Sequence, residues 1–403
     1  MKHYLLRGCV RCLLAAGLAS ALLGLSACGP IVSNSSDAVS SAPTPASAAP
    51  VGGLMPFDMQ KSVGVTLGDI DLVTEDNMHR MQEAGIDLIR LNIPYPFEPD
   101  GVTPTANYMA VRRAAVKLTE KGFHLMCQTF WPGGIGYDSR TGQVGWISNL
   151  PEVYDGFDDP YFTAITAQAV KYIAEDNRDL CAWWLVSNEP DINVYTGSMT
   201  PDQIAAYLHT GAQALKSVNP NNRVGINLMV SVNPAYSIQI LQKAYGGNGE
   251  GLFDFVGLDS YFGTLMEGSP ESWGGYIDQF SALSGKPIII TEWSYSSYAY
   301  KTEDGNHDVG TANPVCRNKR FQAEWEGHER GEASQAEYVT ACLTAFQNNP
   351  QVIGSIWYAY SDYEGACWEC GDTGCPMYSS WGLVGADGSP KPAYEAMKAL
   401  VGS

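Results

Sequence analysis

The chain has 403 residues, 45% of them hydrophobic and 17% charged, which excludes a wholly disordered protein and allows one large domain or two medium ones. Its 43 acidic residues against 24 basic ones give a formal net charge of −19. A surface of that sign repels phosphate backbones, so nucleic acid is not an expected partner.

The first 28 residues carry Lys2, Arg7 and Arg11, then the apolar run LLAAGLASALLGL, then Leu25-Ser26-Ala27-Cys28. The apolar core is short for a spanning helix and ends at small residues, as a cleavable export signal does. Its last four residues resemble the lipobox of bacterial lipoproteins, which implies cleavage before Cys28 and acylation of that cysteine. Removing the three basic residues leaves 24 − 3 = 21 against 43 acidic, a net of −22. Gly29 follows, without the aspartate that would signal inner-membrane retention, so by analogy the outer membrane is the expected address. Residues 29–56, as in SSDAVSSAPTPASAAP, are too poor in apolar side chains to order themselves and read as a flexible tether. The folded domain is expected over 57–403.

From residue 61 onward, apolar runs alternate with amphipathic segments. SVGVTLG (62–68) reads as a strand, and the helix after it starts at Thr74 and Asp76 and stops at Gly85. IDLIRLNIPY (86–95) is a second strand, 107–122 a helix, HLMCQTFW (124–131) a third strand. A Gly- and aromatic-rich loop precedes a helix at about 161–176, and CAWWLVSNEP (181–190) is the fourth strand. Helix 200–218 opens with an N-cap Thr and Pro, and 223–230 is the fifth strand. Further pairs follow: helix 235–245 with strand 253–262, helix 273–284 with strand 286–295, and helix 334–349 with strand 352–362. A helix at 391–400 closes the chain. Eight such units, with strands written as continuous apolar runs, predict buried parallel strands in an α/β (β/α)8 TIM barrel. A doubly wound open sheet is the alternative, but no Gly-rich phosphate loop follows the first strand.

In such a barrel the chemistry sits at the C-terminal ends of strands. Glu189 closes the fourth strand and Glu292, in IIITEW, closes the seventh, and those strands face each other across the mouth. A carboxyl pair flanking a cleft is what glycosidic cleavage needs, one group donating a proton and the other meeting the oxocarbenium charge. Asn188-Glu189-Pro190 and Glu292 resemble the signature of the clan A retaining glycoside hydrolases, which includes family 5 cellulases and mannanases, agarases and β-galactosidases. The resemblance implies that Glu189 is the acid/base, Glu292 the nucleophile, and Asn188 a contact to the hydroxyl beside the reacting carbon. Arg90, in LIRLNIP, matches the clan's arginine beside the nucleophile, which would keep that group ionised. Tyr261, in LDSYF, matches a tyrosine that hydrogen-bonds it. Trp357, in SIWYAYSD, resembles the aromatic under the reacting sugar, with Tyr358 or Tyr360 as alternatives if the register shifts. Glu189, by contrast, must have its pKa raised by desolvation and by Glu292 to hold a proton.

Trp131, Trp146, Trp293, Trp368 and Trp381 fall on or near the cleft side, and Trp131 is the candidate subsite for stacking on a sugar. The segments after strands seven and eight are long and aperiodic, as loops that shape substrate choice are. His307 and His328 in the first of them read as polar loop residues. Seven cysteines follow Cys28. Cys127, Cys181 and Cys342 read as free buried thiols. Cys316, Cys367, Cys370 and Cys375 read as two loop disulfides of open pairing, with a structural zinc site as the alternative. No cofactor and no catalytic metal are expected, since no His pair closes a strand. The expectation is a monomeric, lipid-anchored retaining hydrolase of a β-linked glycan. A transglycosylase of the same fold and a non-catalytic surface glycan-binding lipoprotein are the alternatives.

Overall fold

A computed structural model of the chain describes residues 53–138, 143–151, 155–298, 325–362, 366–367, 372–373 and 380–402. The expected export signal and most of the tether lie outside these residues, as do His307, Trp368, Cys316, Cys370, Cys375 and the side chain of Cys367.

Eight strands close a parallel barrel: β1 (Ser62–Thr66), β2 (Leu88–Asn92), β3 (His124–Gln128), β4 (Trp183–Leu185), β5 (Arg223–Met229), β6 (Phe255–Ser260), β7 (Ile288–Trp293) and β8 (Val352–Trp357). Each strand pairs with its sequence neighbours, and β1 with β8 completes the ring. Around it run α1 (Glu75–Glu83), α2 (Ala106–Glu120), α3 (Pro160–Asp176), α4 (Pro201–Val218), α5 (Pro234–Tyr245), α6 (Ser272–Ser284), α7 (Glu332–Asn348) and α8 (Pro392–Val401). The expected (β/α)8 order is therefore present. One addition is the antiparallel hairpin Gly133–Asp138 with Gln143–Ser148, built inside the Gly-rich stretch read as loop.

Local chemistry sets the helix ends. Thr74 and Thr105 accept the hydrogen bonds that start α1 and α2, and Thr200 with Gln203 forms a capping box for α4. The stop after α1 is Gly85, at φ +71°, where a Cβ would come within 2.0 Å of the Val401 carbonyl oxygen as α8 crosses. Glycine is the residue that fits both demands.

Strand periodicity builds the barrel interior in layers. Leu88, Met126, Leu185, Phe255, Ile289 and Ile356 form an apolar floor with Met59 and Trp183. Two residues further along their strands, Arg90, Gln128 and, past a glycine, Asp259 form a fully buried polar layer with Asn227. The floor is closed from below by residues 57–59, with the Phe57 ring stacked 3.9 Å from His124 and its carbonyl taking a bond from the Trp183 indole.

A bulge interrupts β7. Ile290 pairs with Leu258, but Glu292 pairs with Asp259, so Thr291 is an extra residue on the β7 side. It changes the parity of the strand: Glu292 reaches the site, and Trp293 packs outward, edge-on to Phe346 of α7.

Two expectations are corrected here. Cys127 and Cys181 are not free thiols but a disulfide, with Cα atoms 6.2 Å apart, because β3 and β4 are barrel neighbours. Cys342 is the buried free thiol expected of it. Trp357 does not face the cleft: Ile356 belongs to the interior floor, so its neighbour turns out to the helix layer. There its indole donates to the Trp381 carbonyl and packs edge-on at 4.7 Å from Trp293.

Candidate active site

Glu189 and Ser187 adopt left-handed backbone angles, φ 35° and 69°, where the chain leaves β4. Such angles in non-glycine residues persist only where surroundings hold them. Here the Glu189 amide faces Asn227 Oδ1 at 3.4 Å, and its carbonyl accepts from Ile192 at 2.9 Å. The apolar run WWLV thus ends in a turn that delivers Asn188 and Glu189 over the polar layer.

Glu292 is held from two sides. Arg90 Nη1 lies 2.6 Å from its Oε1, and the Tyr261 hydroxyl donates to its Oε2. The guanidinium is wholly enclosed and every N–H is used: Nε donates to Gln128, Nη1 also to the Thr291 carbonyl at 2.9 Å, and Nη2 to Gln128 and to Asn188 at 2.8 Å. Burial opposes the charge on Arg90, but the acidic groups around it, the Glu292 carboxylate first, outweigh burial and hold the group protonated. Asn188 Oδ1 accepts from Arg90, Gln128 and Asn227, at 2.8, 2.8 and 3.0 Å. Its amide nitrogen is the group left for a ligand.

Burial pushes the Glu189 carboxyl well above the ordinary value, with the neighbouring acidic groups, Glu292 first and then Asp259 and Asp191, adding to it and Arg90 opposing. One oxygen each of Glu189, Asp259 and Glu292 lie within 4.8 Å of one another. Carboxyls so close are near enough to share a cation, and Arg90 already fills that place against Glu292.

Of the residues expected from sequence, the fold brings together Glu189, Glu292, Asn188, Arg90 and Tyr261. Tyr358 takes the place on the mouth side that Trp357 vacates: half-buried, it meets Tyr261 edge-on at 6.0 Å and packs near Trp381. Trp131 is half-buried and lines a cavity of about 570 Å³ beside the ends of β1 to β3, with Asn92, Tyr95, Asn107 and Asn149. Its ring meets Tyr195 edge-on at 5.7 Å. Trp293 and Trp381 are buried, and Trp146 packs on the hairpin glycine Gly133.

Sequence reasoning passed over Gln128, Asn227 and Asp259. All three are polar residues in otherwise apolar strands, the signal that singled out the two glutamates. Tyr195, in the single helical turn Asn193–Thr196, carried no such mark. Burial and the charges of Glu189 and Glu292 push its phenol well above the ordinary value, which puts it in the same electrostatic neighbourhood.

A closed (β/α)8 barrel with these groups at the ends of β2, β4, β6 and β7 is the arrangement of the clan A glycoside hydrolases, and the chain is one of that class. Residues 163–368, just over half of the sequence, match the model of glycosyl hydrolase family 53, and the chain belongs to that family. No curated protein sequence matches it. Among solved structures, the GH53 catalytic domain of Ignisphaera aggregans superposes with a TM-score of 0.57 at 19% identity, over 88% of this chain and 99% of that one. GH5_18 of Streptomyces cattleya in complex with Manb1-4GlcNAc gives 0.61 at 15%, over 85% and 80%. The exo-beta-1,4-mannosidase Op5Man5 of Opitutaceae bacterium strain TAV5 gives 0.54 at 15%, over 85% of this chain and 59% of that one. The chain thus spans less than two thirds of the mannosidase, and at these identities the likeness is one of fold.

Proposed function

We propose that the chain is a retaining glycosidase acting on a β-linked glycan. The observation that carries this reading is the pair Glu189 and Glu292, with oxygens within 4.8 Å and with Glu292 fixed by Arg90 and Tyr261. That spacing supports direct attack, since inverting enzymes separate their carboxyls by roughly 6.5–9.5 Å to admit a water. Glu292 attacks the anomeric carbon while Glu189 gives its proton to the departing oxygen, forming a glycosyl ester. Glu189, now a carboxylate, takes a proton from water as the ester is cleaved, and Glu292 is released. Asn188, its oxygen saturated, offers its N–H to the sugar hydroxyl beside the reacting carbon.

The cavity beside β1 to β3, with Tyr95 and Trp131 on its wall, supports a substrate of several sugar units. The β-1,4 linkages named for the mannosidase and for the ligand of the Streptomyces protein make such glycans the first to test. The experiment is hydrolysis of β-1,4 mannan, galactan, glucan and xylan, with the product anomer followed by NMR. The β-anomer is expected first, and Glu292→Ala should abolish turnover. First release of the α-anomer would sink the retaining mechanism, and unchanged turnover in Glu292→Ala the assignment of the nucleophile.

We also infer export and acylation at Cys28. The Leu25-Ser26-Ala27-Cys28 motif and a disulfide suited to an oxidising compartment support this. Labelled fatty acid incorporated by the wild type and lost in Cys28→Ala is the expected result.

A further inference from the structure

Asp259 is a third carboxyl in the site, fully buried and paired across the β6–β7 ladder with Glu292. Like charges opposite one another on neighbouring strands destabilise a sheet unless a cation or a proton intervenes. Arg90 does not supply the cation: its five N–H groups go to Gln128, Asn188, Thr291 and Glu292, and none to Asp259. The partners of Asp259 are neutral. Asn227 Nδ2 donates to its Oδ2 at 2.6 Å, and its Oδ1 lies 2.5 Å from the Thr291 hydroxyl, a contact that allows donation in either direction. Gly257 makes this possible, because a Cβ there would come within 2.7 Å of the same hydroxyl.

The bond from Asn227 matters beyond Asp259. Asn227 Nδ2 also donates to Asn188 Oδ1, so its nitrogen must face both acceptors and its oxygen is left for the Glu189 amide. Asp259, with the shorter of the two bonds, thus helps Asn188 fix which way round the Asn227 amide stands, and that amide supports the strained turn at Asn188-Glu189. We propose that Asp259 is a positioning residue that works as the neutral acid, orienting Asn227 and through it Asn188 and Glu189 without placing a second anion beside Glu292.

The charged and titratable groups facing it are Glu292 from β7, Arg90 from β2, Glu189 beyond β4 and Tyr195 from the turn after it. β5 contributes only the neutral Asn227. Consistent with this setting, burial first and then the charge of Glu292 push Asp259 up to about 8, against Arg90 and the two hydrogen bonds. As the neutral acid, Asp259 accepts from Asn227 through its carbonyl oxygen and donates its proton to the Thr291 oxygen. An asparagine can copy both bonds, and an alanine neither.

The inference rests on the glycosidase reading, so its test has one arm that needs no turnover. The wild-type minus Asp259→Asn infrared difference spectrum, taken without substrate, should show a protonated-carboxyl stretch at neutral pH that fades in alkali. An ionised-carboxylate signature at neutral pH would overturn the proposal whatever the enzyme hydrolyses. In the second arm, on the best glycan of the panel, Asp259→Ala should lower kcat about a hundredfold with little change in KM, and Asp259→Asn should recover at least about tenfold of that loss. Asparagine no better than alanine, with both variants folded by thermal melting, would also overturn it. Wild-type inactivity on every glycan would instead sink the glycosidase reading and leave the infrared result standing.

Discussion

Arg90 and Glu292 form an ion pair at 2.6 Å inside the barrel, with the guanidinium wholly enclosed and the carboxylate nearly so. Removing one partner leaves a buried charge unmatched. Arg90→Met should therefore destabilise the protein by about 3–5 kcal/mol, read by denaturant unfolding. Arg90→Lys keeps the charge but cannot reach Gln128, Asn188, Thr291 and Glu292 together. It should retain more stability than Arg90→Met and still lose kcat by about a hundredfold, because Asn188 and Glu292 are no longer fixed.

Enclosure disfavours charge on both Arg90 and Glu189, but Glu292 offsets it at Arg90 and adds to it at Glu189. The raised pKa of Glu189 holds the acid form to a higher pH than an ordinary carboxyl would, and activity should fall as pH rises through that elevated value. Glu189→Gln should cut kcat about 10²–10⁴-fold on glycans with poor leaving groups and far less on activated aryl glycosides. An equal loss on both would deny Glu189 the acid role.

Asp191 lies buried just past the turn, accepting from Ser237 at 2.5 Å and from the Met229 amide at 3.1 Å. Burial raises it from 3.8 to about 6. The folded state thus holds this proton more tightly than the unfolded chain. Its stabilising effect is complete below pH 3.8 and is lost as pH rises to about 6. Asp191→Asn should remove that dependence, about 3 kcal/mol between the two limits, seen in unfolding free energies measured across the range.

The Cys127–Cys181 disulfide joins residues 54 apart in sequence and closes a loop that holds the hairpin and α3. Reduction, or the double change to alanine, should lower the unfolding free energy by roughly 4 kcal/mol on loop entropy. Melting curves with and without reductant check this, and identical curves would show that the bond contributes nothing.

Trp131 offers a half-buried ring on the cavity wall. Trp131→Ala should raise KM for long glycans about tenfold, leave kcat nearly constant, and matter little for a disaccharide. A fall in kcat alone would place Trp131 in the packing behind Tyr195 instead.

Much of this molecule was legible in one dimension. Apolar runs, N-caps and stop glycines are local signals, and they specified eight strand and helix units and hence the barrel. Glu189 and Glu292 stood out because a charge closing a buried strand is costly and calls for a use. The same signal marked Gln128, Asn227 and Asp259, but what such residues do depends on neighbours from other strands, and only ring closure supplies those.

What the tertiary structure alone decided is parity and adjacency. One extra residue at Thr291 turns Glu292 toward the cleft and Trp293 away from it, and a period of two gives no warning of such an insertion. By the same rule Ile356 points in, Trp357 out, and Tyr358 takes the mouth. Cys127 and Cys181 meet because β3 and β4 are neighbours in the ring, although the hairpin and α3 separate them along the chain. Sequence thus carried the elements and the chemistry at their ends, because those follow from local burial and backbone preference. Which side chains share a space depends on register between strands, and that is settled only when the barrel closes.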